Sequence, residues 1–245
     1  MEFKLNPDLD LDALGEAYAV KKRLQVKQIL PTKAAKHINE LMDKQTPWIF
    51  TFSDGSGTNY MPIPMLRSLP PHESDRLQQM INQTSRNGFG FCYNTFNFHN
   101  EIMKGNFLDH PIKKFDDFLQ SDKFLGFIRK VTGDETIDGC GAAATWFGPG
   151  HYLNIHSDQM KGCDLRAAFI FNFSPKWRAD WGGELKFFPD KEGSKVEEGL
   201  FPAYNVLNIA TVPYYHSVGV VAPFAGAPRF SISGWLFSGK PPPLH

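Results

Sequence analysis

The chain has 245 residues, and its 26 lysines and arginines are balanced by 26 aspartates and glutamates. This zero formal net charge excludes the strongly basic and strongly acidic classes of protein. Nothing in the balance of charged residues therefore requires nucleic acid or an anionic membrane as a partner. The 22 phenylalanines and 5 tryptophans indicate a broad, well-filled core rather than disorder. We expect residues 1–245 to form a single domain, a β-barrel with helical decoration.

The first half of the chain has the pattern of mixed helix and strand. Helices are predicted to begin near Leu11, at Thr32 as N-cap and at about Asp75, followed by two short amphipathic helices around 115–119 and 124–128. Short strands are predicted at Leu24–Val26 and Phe89–Tyr93. We therefore expect residues 1–136 to form a region of helices and strands that supports the rest of the chain.

The second half has a different texture, in which strands alternate with turns. From Asp138 onward, Gly and Pro recur at intervals of roughly ten residues, which is typical of a β-sandwich or barrel. Residues 137–238 are therefore predicted to form the catalytic core, and the whole chain to be mainly β with flanking helices, an α+β protein.

The cysteines bear on the compartment. Cys92, Cys140 and Cys163 are an odd number at wide separations and form no Cys-x-x-Cys motif, which indicates a reducing environment. No apolar run approaches the roughly 20 residues that span a bilayer, and the first residues lack the apolar stretch of a signal peptide. We expect a soluble, cytoplasmic protein without a membrane partner; the pattern predicts no oligomeric state.

Two potential metal ligands lie two residues apart in His156-Ser157-Asp158. Residues i and i+2 of an extended strand face the same side, so both side chains can point toward one metal ion. A third candidate, His216, follows the β-rich run 204–212. Two imidazoles and one carboxylate leave the remaining octahedral positions open, as in non-haem Fe(II) oxygenases. The sequence therefore predicts His156, Asp158 and His216 as the metal-binding and catalytic residues of an iron site.

The segment that begins at Arg229 predicts a strand with one unusually polar face. The polar face carries Arg229, Ser231, Ser233 and Trp235, and the other face carries Phe230, Ile232 and Leu236. A guanidinium inside a barrel needs an anionic partner, and no carboxylate lies near Arg229 in sequence. A dicarboxylate co-substrate that chelates iron at one end would present its far carboxylate to Arg229, with support from the Ser231 hydroxyl. The alternative for Ser231 is a hydrogen bond to backbone alone.

From about Ile137 to Phe237, the chain resembles the prolyl-hydroxylase-like branch of the 2-oxoglutarate and Fe(II)-dependent oxygenases. Five blocks in the same order carry the resemblance: Tyr152 to Asp158, Trp181 to Pro189, Asn205 to Leu207, His216 to Val218 and Arg229 to Trp235. The resemblance implies Fe(II), 2-oxoglutarate and O₂ as cofactor and co-substrates. Together with the order of the ligands, the strand-and-turn texture predicts a double-stranded β-helix, a jelly-roll or cupin-like barrel.

The resemblance also bears on Tyr152. In related enzymes an aromatic hydroxyl in this region helps to bind the co-substrate, and we interpret Tyr152 as that residue; the alternative is a core aromatic with a hydrogen-bonded tip. His151 is predicted to be a loop residue rather than a ligand. The five remaining histidines are assigned to the surface or the core: His37, His72, His99, His110 and His245.

The second and fifth blocks look most like those of the ribosomal prolyl hydroxylases. Those enzymes carry a further non-catalytic barrel domain, whereas this sequence ends at His245. The presence of Asp158 favours hydroxylation, because related halogenases have a small residue there. The leading hypothesis is hydroxylation of an unactivated C–H bond in a prolyl residue of a protein or peptide.

Three alternatives stay open at this point. The substrate can be a free amino acid or a natural-product intermediate, which a compact barrel serves equally well. The chain can also be a jelly-roll sensor or binding module that holds metal without turnover. A zinc hydrolase with the same three ligands is the third.

Overall fold

The computed structural model describes residues 2–242, and twelve strands, seven α-helices and one short 3-10 helix (Ala179–Trp181) lie within that range. The strands are β1 (Arg23–Lys27), β2 (Ile49–Ser53), β3 (Thr58–Pro62), β4 (Phe91–Phe96), β5 (Gly139–Phe147), β6 (Tyr152–His156), β7 (Asp164–Asn172), β8 (Leu185–Phe188), β9 (Glu198–Leu200), β10 (Val206–Thr211), β11 (Tyr215–Val218) and β12 (Arg229–Ser238). The helices are α1 (Leu11–Lys21), α2 (Thr32–Lys44), α3 (Ile63–Ser68), α4 (Pro71–Asn87), α5 (Phe98–Met103), α6 (Lys113–Leu119) and α7 (Asp122–Thr132).

The last eight strands form two four-stranded layers. One layer has the order β10-β7-β12-β5 and the other the order β6-β11-β8-β9, and all of these pairings are antiparallel. Most successive strands switch layers, because β5, β7, β10 and β12 belong to the first and β6, β8, β9 and β11 to the second. This is the double-stranded β-helix of a jelly roll, and the predicted fold class is confirmed.

Strands from the first half of the chain extend the same sheet. β1 pairs with β10 at one edge, and β4 pairs with both β5 and β6, so that β4 joins the two layers. The hairpin β2–β3 pairs with β4 through β2. Strands from before and after residue 137 therefore form one continuous sheet.

The two faces of β12 have the composition that alternation predicts. Phe230, Ile232 and Leu236 belong to the main hydrophobic cluster, which also includes buried side chains of α2, α5, α6 and α7. Complete burial of such a side chain contributes about 1.5–3 kcal/mol relative to exposure, so this face holds the helices against the sheet. The opposite face of β12 lines a cavity inside the barrel.

The observed helices differ from the predicted ones mainly at their ends. α2 begins at Thr32, but Pro31 rather than Thr32 is the N-cap residue. α4 begins at Pro71, four residues before the predicted start, because a proline is well suited to the first helical position. α7 has Ser121 as an N-cap that accepts from the Phe124 backbone N–H at 3.3 Å. None of the helices within residues 2–242 combines the length and apolar character needed to cross a bilayer.

Some elements were not predicted from the sequence. The short helices α3 and α5 contain only six residues each, too few to show helical periodicity. The β2–β3 hairpin turns through the loop after Ser53, where Asp54 accepts hydrogen bonds from Ser56 and Gly57. Such a side chain–backbone turn depends on one aspartate and leaves little periodic signal.

Two glycines on neighbouring strands provide a test of the β5–β12 packing. A Cβ at Gly234 would lie 1.8 Å from the Gly141 carbonyl oxygen, whereas a Cβ at Gly141 would meet only the His99 ring at 3.9 Å. We expect Gly234→Ala to lower the free energy of unfolding by about 3 kcal/mol, because the backbone of β5 must move. Gly141→Ala should change it by no more than about 1 kcal/mol. Urea unfolding of both variants measures the difference, and equal effects would contradict this account of the packing.

Candidate metal centre

His156 and His216 face each other across two paired strands. Their Cα atoms are register partners in the antiparallel β6–β11 pair, and their ring centroids are 4.1 Å apart. The register becomes irregular between His216 and Val218. Residues far apart in sequence are thus brought together by strand pairing alone, and both side chains are largely buried.

Asp158 completes the cluster from outside the strand. β6 ends at His156, and Asp158 has a φ of 57°, in the left-handed region. The expectation that His156 and Asp158 share one face of an extended strand is therefore wrong, although the two side chains do meet. Asp158 Oδ1 lies 3.2 Å from His156 Nε2, and Asp158 Oδ2 lies 3.3 Å from His216 Nε2. The loop conformation turns the carboxylate back toward both rings.

Backbone carbonyls orient both imidazoles. His156 Nδ1 lies 2.9 Å from the Asn154 carbonyl oxygen, and His216 Nδ1 lies 2.8 Å from the Tyr214 carbonyl oxygen. A carbonyl can only accept, so each Nδ1 carries the proton and each Nε2 presents a lone pair. The ligand atoms of His156, Asp158 and His216 all lie within 4.8 Å of one another. Two imidazoles and one carboxylate on one side of a metal form the facial triad of non-haem Fe(II) enzymes.

The carboxylate of Asp158 stays ionised despite its burial. Burial alone would raise its pKa, but the hydrogen bond and charge of His156, the charge of His216 and a hydrogen bond from Trp235 outweigh that effect and lower the pKa. Burial lowers the pKa of His216, and so does the neighbouring charge of His156. Burial alone would lower the pKa of His156 as well, but the hydrogen bond and charge of Asp158 outweigh burial and raise it. The metal-free cluster therefore has a negative carboxylate and a neutral His216, and metal binding competes with the proton on His156.

Arg229, at the start of β12, is buried with only 1% of its surface exposed. Its Nε donates to the Gly183 carbonyl oxygen at 2.8 Å, and its guanidinium carbon lies 5.0 Å from the centre of the Phe147 ring. Burial lowers the pKa of Arg229 to about 10, so the guanidinium remains charged at neutral pH. Within residues 2–242 no carboxylate lies within ion-pair distance of it, since the nearby Glu184 pairs with Lys186 at 3.1 Å.

The glycine pair of the second sequence block allows this close approach to Arg229. Gly182 and Gly183 have φ values of 66° and 65°, which side chains rarely adopt. A Cβ at Gly183 would lie 3.2 Å from Arg229 Cδ, and one at Gly182 would lie 2.2 Å from the Val220 carbonyl oxygen. Glycine at both positions therefore lets a backbone carbonyl accept from the arginine.

Ser231 lies next along the same face of β12. Arg229 Nη1 donates to Ser231 Oγ at 3.1 Å, and that oxygen lies 2.8 Å from Thr145 Oγ1 on β5. Both hydroxyls are buried. Ser231 thus bonds to side chains rather than to backbone alone, and it holds one side of the guanidinium in place.

One cavity of about 640 Å³ contains all of these groups. Its wall includes His156, Asp158, His216, Arg229 and Ser231. Along β12 the order is Arg229, then Ser231, then Ser233, then Trp235, whose side chain reaches Asp158. The cavity is therefore polarised along its length, with a free cation at one end and the metal-binding cluster beyond it.

Tyr152 does not join these residues. On β6 it points away from the cavity, packs against the cluster of Phe50, Phe52 and Ile81, and makes a short hydrogen bond from its hydroxyl to Ser85. The placement of Tyr152 beside the co-substrate is corrected accordingly, and its alternative as a core aromatic with a bonded tip agrees with the structure. Leu153 and Ile155 of β6 line the cavity, as does His156 at the end of the strand, whereas Tyr152 does not.

Tyr93 is the tyrosine that the sequence reasoning missed. It lies on β4 in the cavity wall and stacks on Phe147 with ring centres 4.8 Å apart. Phe147 is also the ring that the Arg229 guanidinium covers. Burial and the charges of Tyr60 and Asp158 raise the pKa of Tyr93, so its hydroxyl keeps its proton and can donate to an anion. The sequence contains no signal for Tyr93, because β4 lies far upstream of the five blocks that carry the family resemblance.

The other histidines within residues 2–242 are not part of the metal-binding cluster, although one of them lines the cavity, and His245 lies outside the described residues. His151 is partly buried and packs against Phe50, and the loss of solvent around its ring lowers its pKa to about 4; it does not line the cavity. His99 does line the cavity, and its Nδ1 lies 2.8 Å from the buried carboxylate of Asp116. The sequence offered only an isolated histidine there, and the pairing depends on the packing of α5 on α6.

Comparison with known proteins gives one family match. Residues 142–237 match the model of the 2OG-Fe(II) oxygenase superfamily. This segment contains His156, Asp158, His216, Arg229 and Ser231. A comparison with curated proteins gave no match.

Solved structures share the fold over nearly the whole chain. A prolyl-4-hydroxylase from Pseudomonas putida has a TM-score of 0.60 at 16% identity, with 94% of this chain and 100% of that chain covered. A prolyl hydroxylase from Trichoplax adhaerens, in complex with a peptide fragment of the hypoxia inducible factor oxygen degradation domain, has a TM-score of 0.59 at 14% identity over 93% and 89% of the two chains. The α-ketoglutarate-dependent epimerase SnoN from nogalamycin biosynthesis has a TM-score of 0.53 at 10% identity over 93% and 82%. Identities this low show that the fold is shared and carry no information about the substrate.

Replacement of one ligand tests the metal centre. We expect His156→Ala to weaken binding of Fe(II) by more than the roughly 10–100-fold that loss of an outer-shell partner costs. His72→Ala is the matched control, because the His72 side chain is 69% exposed and lies outside the cluster. Anaerobic titration with Fe(II), or with Co(II) as a spectroscopic probe, measures the affinity, and circular dichroism checks the fold. Unchanged affinity in a folded His156→Ala variant would exclude this centre.

Proposed function

We propose that this chain is a 2-oxoglutarate-dependent dioxygenase that hydroxylates a prolyl residue of a protein or peptide, because its residues 142–237 match the model of the 2OG-Fe(II) oxygenase superfamily. The superfamily uses Fe(II), 2-oxoglutarate and O₂. The observation that supports the site assignment is the shared cavity, in which a His-Asp-His cluster lies beyond a buried, charged arginine without a carboxylate partner among residues 2–242.

The residues present fit an iron ion. The donor set of His156, Asp158 and His216 provides two imidazole nitrogens and one carboxylate, and backbone carbonyls hold both rings in the metal-binding orientation. We assign these three side chains as the iron ligands. When bound with 2-oxoglutarate and O₂, the iron supplies the oxidising power that converts an unactivated C–H bond to C–OH, with succinate and CO₂ as co-products.

The residues also fit 2-oxoglutarate. Arg229 holds a full positive charge in a water-poor cavity, and such a charge is stable only with an anionic partner. The far carboxylate of 2-oxoglutarate satisfies this requirement through a charge-assisted pair with the guanidinium. Ser231 and Thr145 fix the guanidinium through the chain of hydrogen bonds from Nη1. Tyr93, rather than Tyr152, supplies a further hydroxyl donor on this side of the cavity.

The remaining side chains exclude water and shape the approach to the metal. Aromatic rings surround the cluster, and Phe89 lies 5.6 Å from His156 and Phe187 lies 6.3 Å from His216 between ring centres. Apolar surface predominates over polar surface in the lining. In such surroundings the charged pairs act at a lower effective dielectric constant and are stronger than in water.

The prolyl substrate is supported by the two prolyl hydroxylases of the same fold, one of them bound to a peptide. The apolar wall past Trp235 also suits a pyrrolidine ring. A small-molecule substrate is the second candidate, and the shared fold of SnoN, an enzyme of natural-product biosynthesis, favours it. The unpaired cysteines Cys92, Cys140 and Cys163 agree with a cytoplasmic enzyme, which is part of the proposal.

Arg229 separates this proposal from the other two classes. A metal-binding sensor or a zinc hydrolase needs the three ligands but has no use for a buried cation that faces the metal along the same cavity. Anaerobic addition of Fe(II) with and without 2-oxoglutarate decides the matter, because an iron–2-oxoglutarate chelate gives a weak visible charge-transfer band. Folded, iron-loaded protein without this band would overturn the proposal.

Truncation of Arg229 tests the co-substrate anchor. Loss of one partner of a buried charge pair costs about 2–5 kcal/mol, so we expect Arg229→Ala to bind 2-oxoglutarate about 30-fold more weakly or worse. Titration of the charge-transfer band measures the affinity, and retained Fe(II) binding shows that the cluster is intact. Arg178→Ala is the control, since the Arg178 side chain is 70% exposed. Equal affinity of Arg229→Ala and wild type would place the co-substrate elsewhere.

Two tyrosine variants test which hydroxyl reaches the co-substrate. A hydrogen bond to a charged group contributes about 1.5–3 kcal/mol, so Tyr93→Phe should weaken 2-oxoglutarate binding about tenfold or more. Tyr152→Phe should leave that affinity unchanged and lower the free energy of unfolding by about 1 kcal/mol, because its bond to Ser85 is lost. The same titration and urea unfolding give both numbers, and the reverse pattern would restore Tyr152 to the site.

A further inference from the structure

The chain directs two of its own prolines into the candidate active-site cavity. After β12 ends at Ser238, Pro241 and Pro242 both line the cavity that holds the metal-binding cluster. Pro242 is buried, whereas Lys240 and Pro241 are exposed. Pro242 therefore packs against other side chains of the cavity, although it follows two exposed residues and lies outside any helix or strand.

The register of β12 places this segment on the metal side of the cavity. Arg229, at the beginning of the strand, pairs with Phe147, whereas Trp235, near its end, pairs with Gly141 and reaches Asp158. Pro241 and Pro242 follow Ser238, the last residue of β12, by only a few residues, so they lie near this end of the strand. The prolines therefore line the Trp235 end of the cavity, away from Arg229.

A specific turn holds the segment in this direction. Gly239 has a φ of 71°, and its backbone N–H donates to both carboxylate oxygens of Asp138 at 3.0 and 3.1 Å. Asp138 in turn donates its backbone N–H to the Phe237 carbonyl oxygen at 3.1 Å. The turn is thus tied to Asp138, the residue directly before β5, and Pro241 and Pro242 beyond it line the cavity.

The wall of the cavity near this segment has room for a ring. Gly141, Ala142 and Ala168 line it, and none of these side chains is larger than a methyl group. A saturated five-membered ring is apolar and loses little conformational entropy on burial, so it fits such a wall well. The tether also makes the effective concentration of these prolines high, on the order of millimolar.

We propose that Pro242 is a substrate of the enzyme's own active site and is hydroxylated in cis. This inference rests on the proposed prolyl hydroxylation and names one acceptor for it. One oxygen atom of O₂ enters a ring C–H bond of Pro242 to give C–OH, and the other enters succinate as 2-oxoglutarate loses CO₂. Two of the four electrons come from the C–H bond and two from the oxidative decarboxylation, so no further reductant is needed.

Mass spectrometry of the full chain tests this proposal. The protein is loaded with Fe(II) and 2-oxoglutarate without oxygen, exposed to O₂ and digested with trypsin. Trypsin cleaves after Arg229 but not before Pro241, so the peptide that starts at Phe230 contains Pro242. We expect this peptide to gain one oxygen atom, mapped to Pro242 by fragment ions, only when 2-oxoglutarate and O₂ are both present. Protein that was hydroxylated before purification already carries this oxygen at the start of the reaction.

Matched variants show which residue is modified. Pro242→Ala should lose the added oxygen, whereas Pro241→Ala should keep it because Pro241 is exposed. Asp138→Ala removes the acceptor of the Gly239 N–H and should lower the modified fraction several-fold. A mixture with an isotope-labelled Asp158→Ala chain tests the cis route, since the labelled chain should stay unmodified.

The possible failures can be told apart. Protein that shows the charge-transfer band and 2-oxoglutarate-dependent succinate formation, but an unmodified peptide, overturns this inference and leaves the proposed function standing. Oxygen mapped to Trp235 instead of Pro242 also overturns it, because it marks oxidation of the nearest aromatic ring. Absence of both band and succinate overturns the inference together with the proposed function.

Discussion

The site depends on the position of β12 between β5 and β7. Hydrogen bonds on both edges fix its register over nearly its whole length, so its side chains alternate without slippage between the cavity and the helix-packed core. A shift of one residue would place Phe230 and Ile232 in the cavity and Arg229 among phenylalanines. The cost of burying that charge in the apolar core and of losing the apolar contacts selects a single register.

The same register gives the cavity its direction. Arg229 and Ser231 come first along the strand, Trp235 meets Asp158, and the segment after Ser238 returns over the far end. In the proposed function, a co-substrate that bridges Arg229 and the metal has one orientation. The proposal then leaves the reacting position on the side of Trp235, where Gly141, Ala142 and Ala168 line the cavity.

Buried polar groups in this barrel are satisfied in two different ways. The imidazoles of His156 and His216 use backbone carbonyls of their own strands, and Ser231 uses Thr145. Arg229 is satisfied on one side only, by Gly183 and Ser231, and its remaining charge has no carboxylate within ion-pair distance among residues 2–242. A folded protein tolerates such a charge poorly unless a ligand completes it, which is why this residue carries more functional information than the metal ligands alone.

The sequence by itself predicted that His156, Asp158 and His216 come together, that one face of β12 is polar, and that the fold is a jelly roll. These follow from local rules: strand alternation, the chemistry of histidine and carboxylate ligands, and the order of motifs along the chain. The tertiary structure alone decided that Asp158 reaches the histidines from a left-handed loop position, and that Tyr93 rather than Tyr152 faces the cavity. It also decided that His99 and Pro242 join the wall. The reason is that these placements depend on which strands pair and where the chain turns back. Pairing between distant segments is set by packing of the whole sheet rather than by any local pattern of residues.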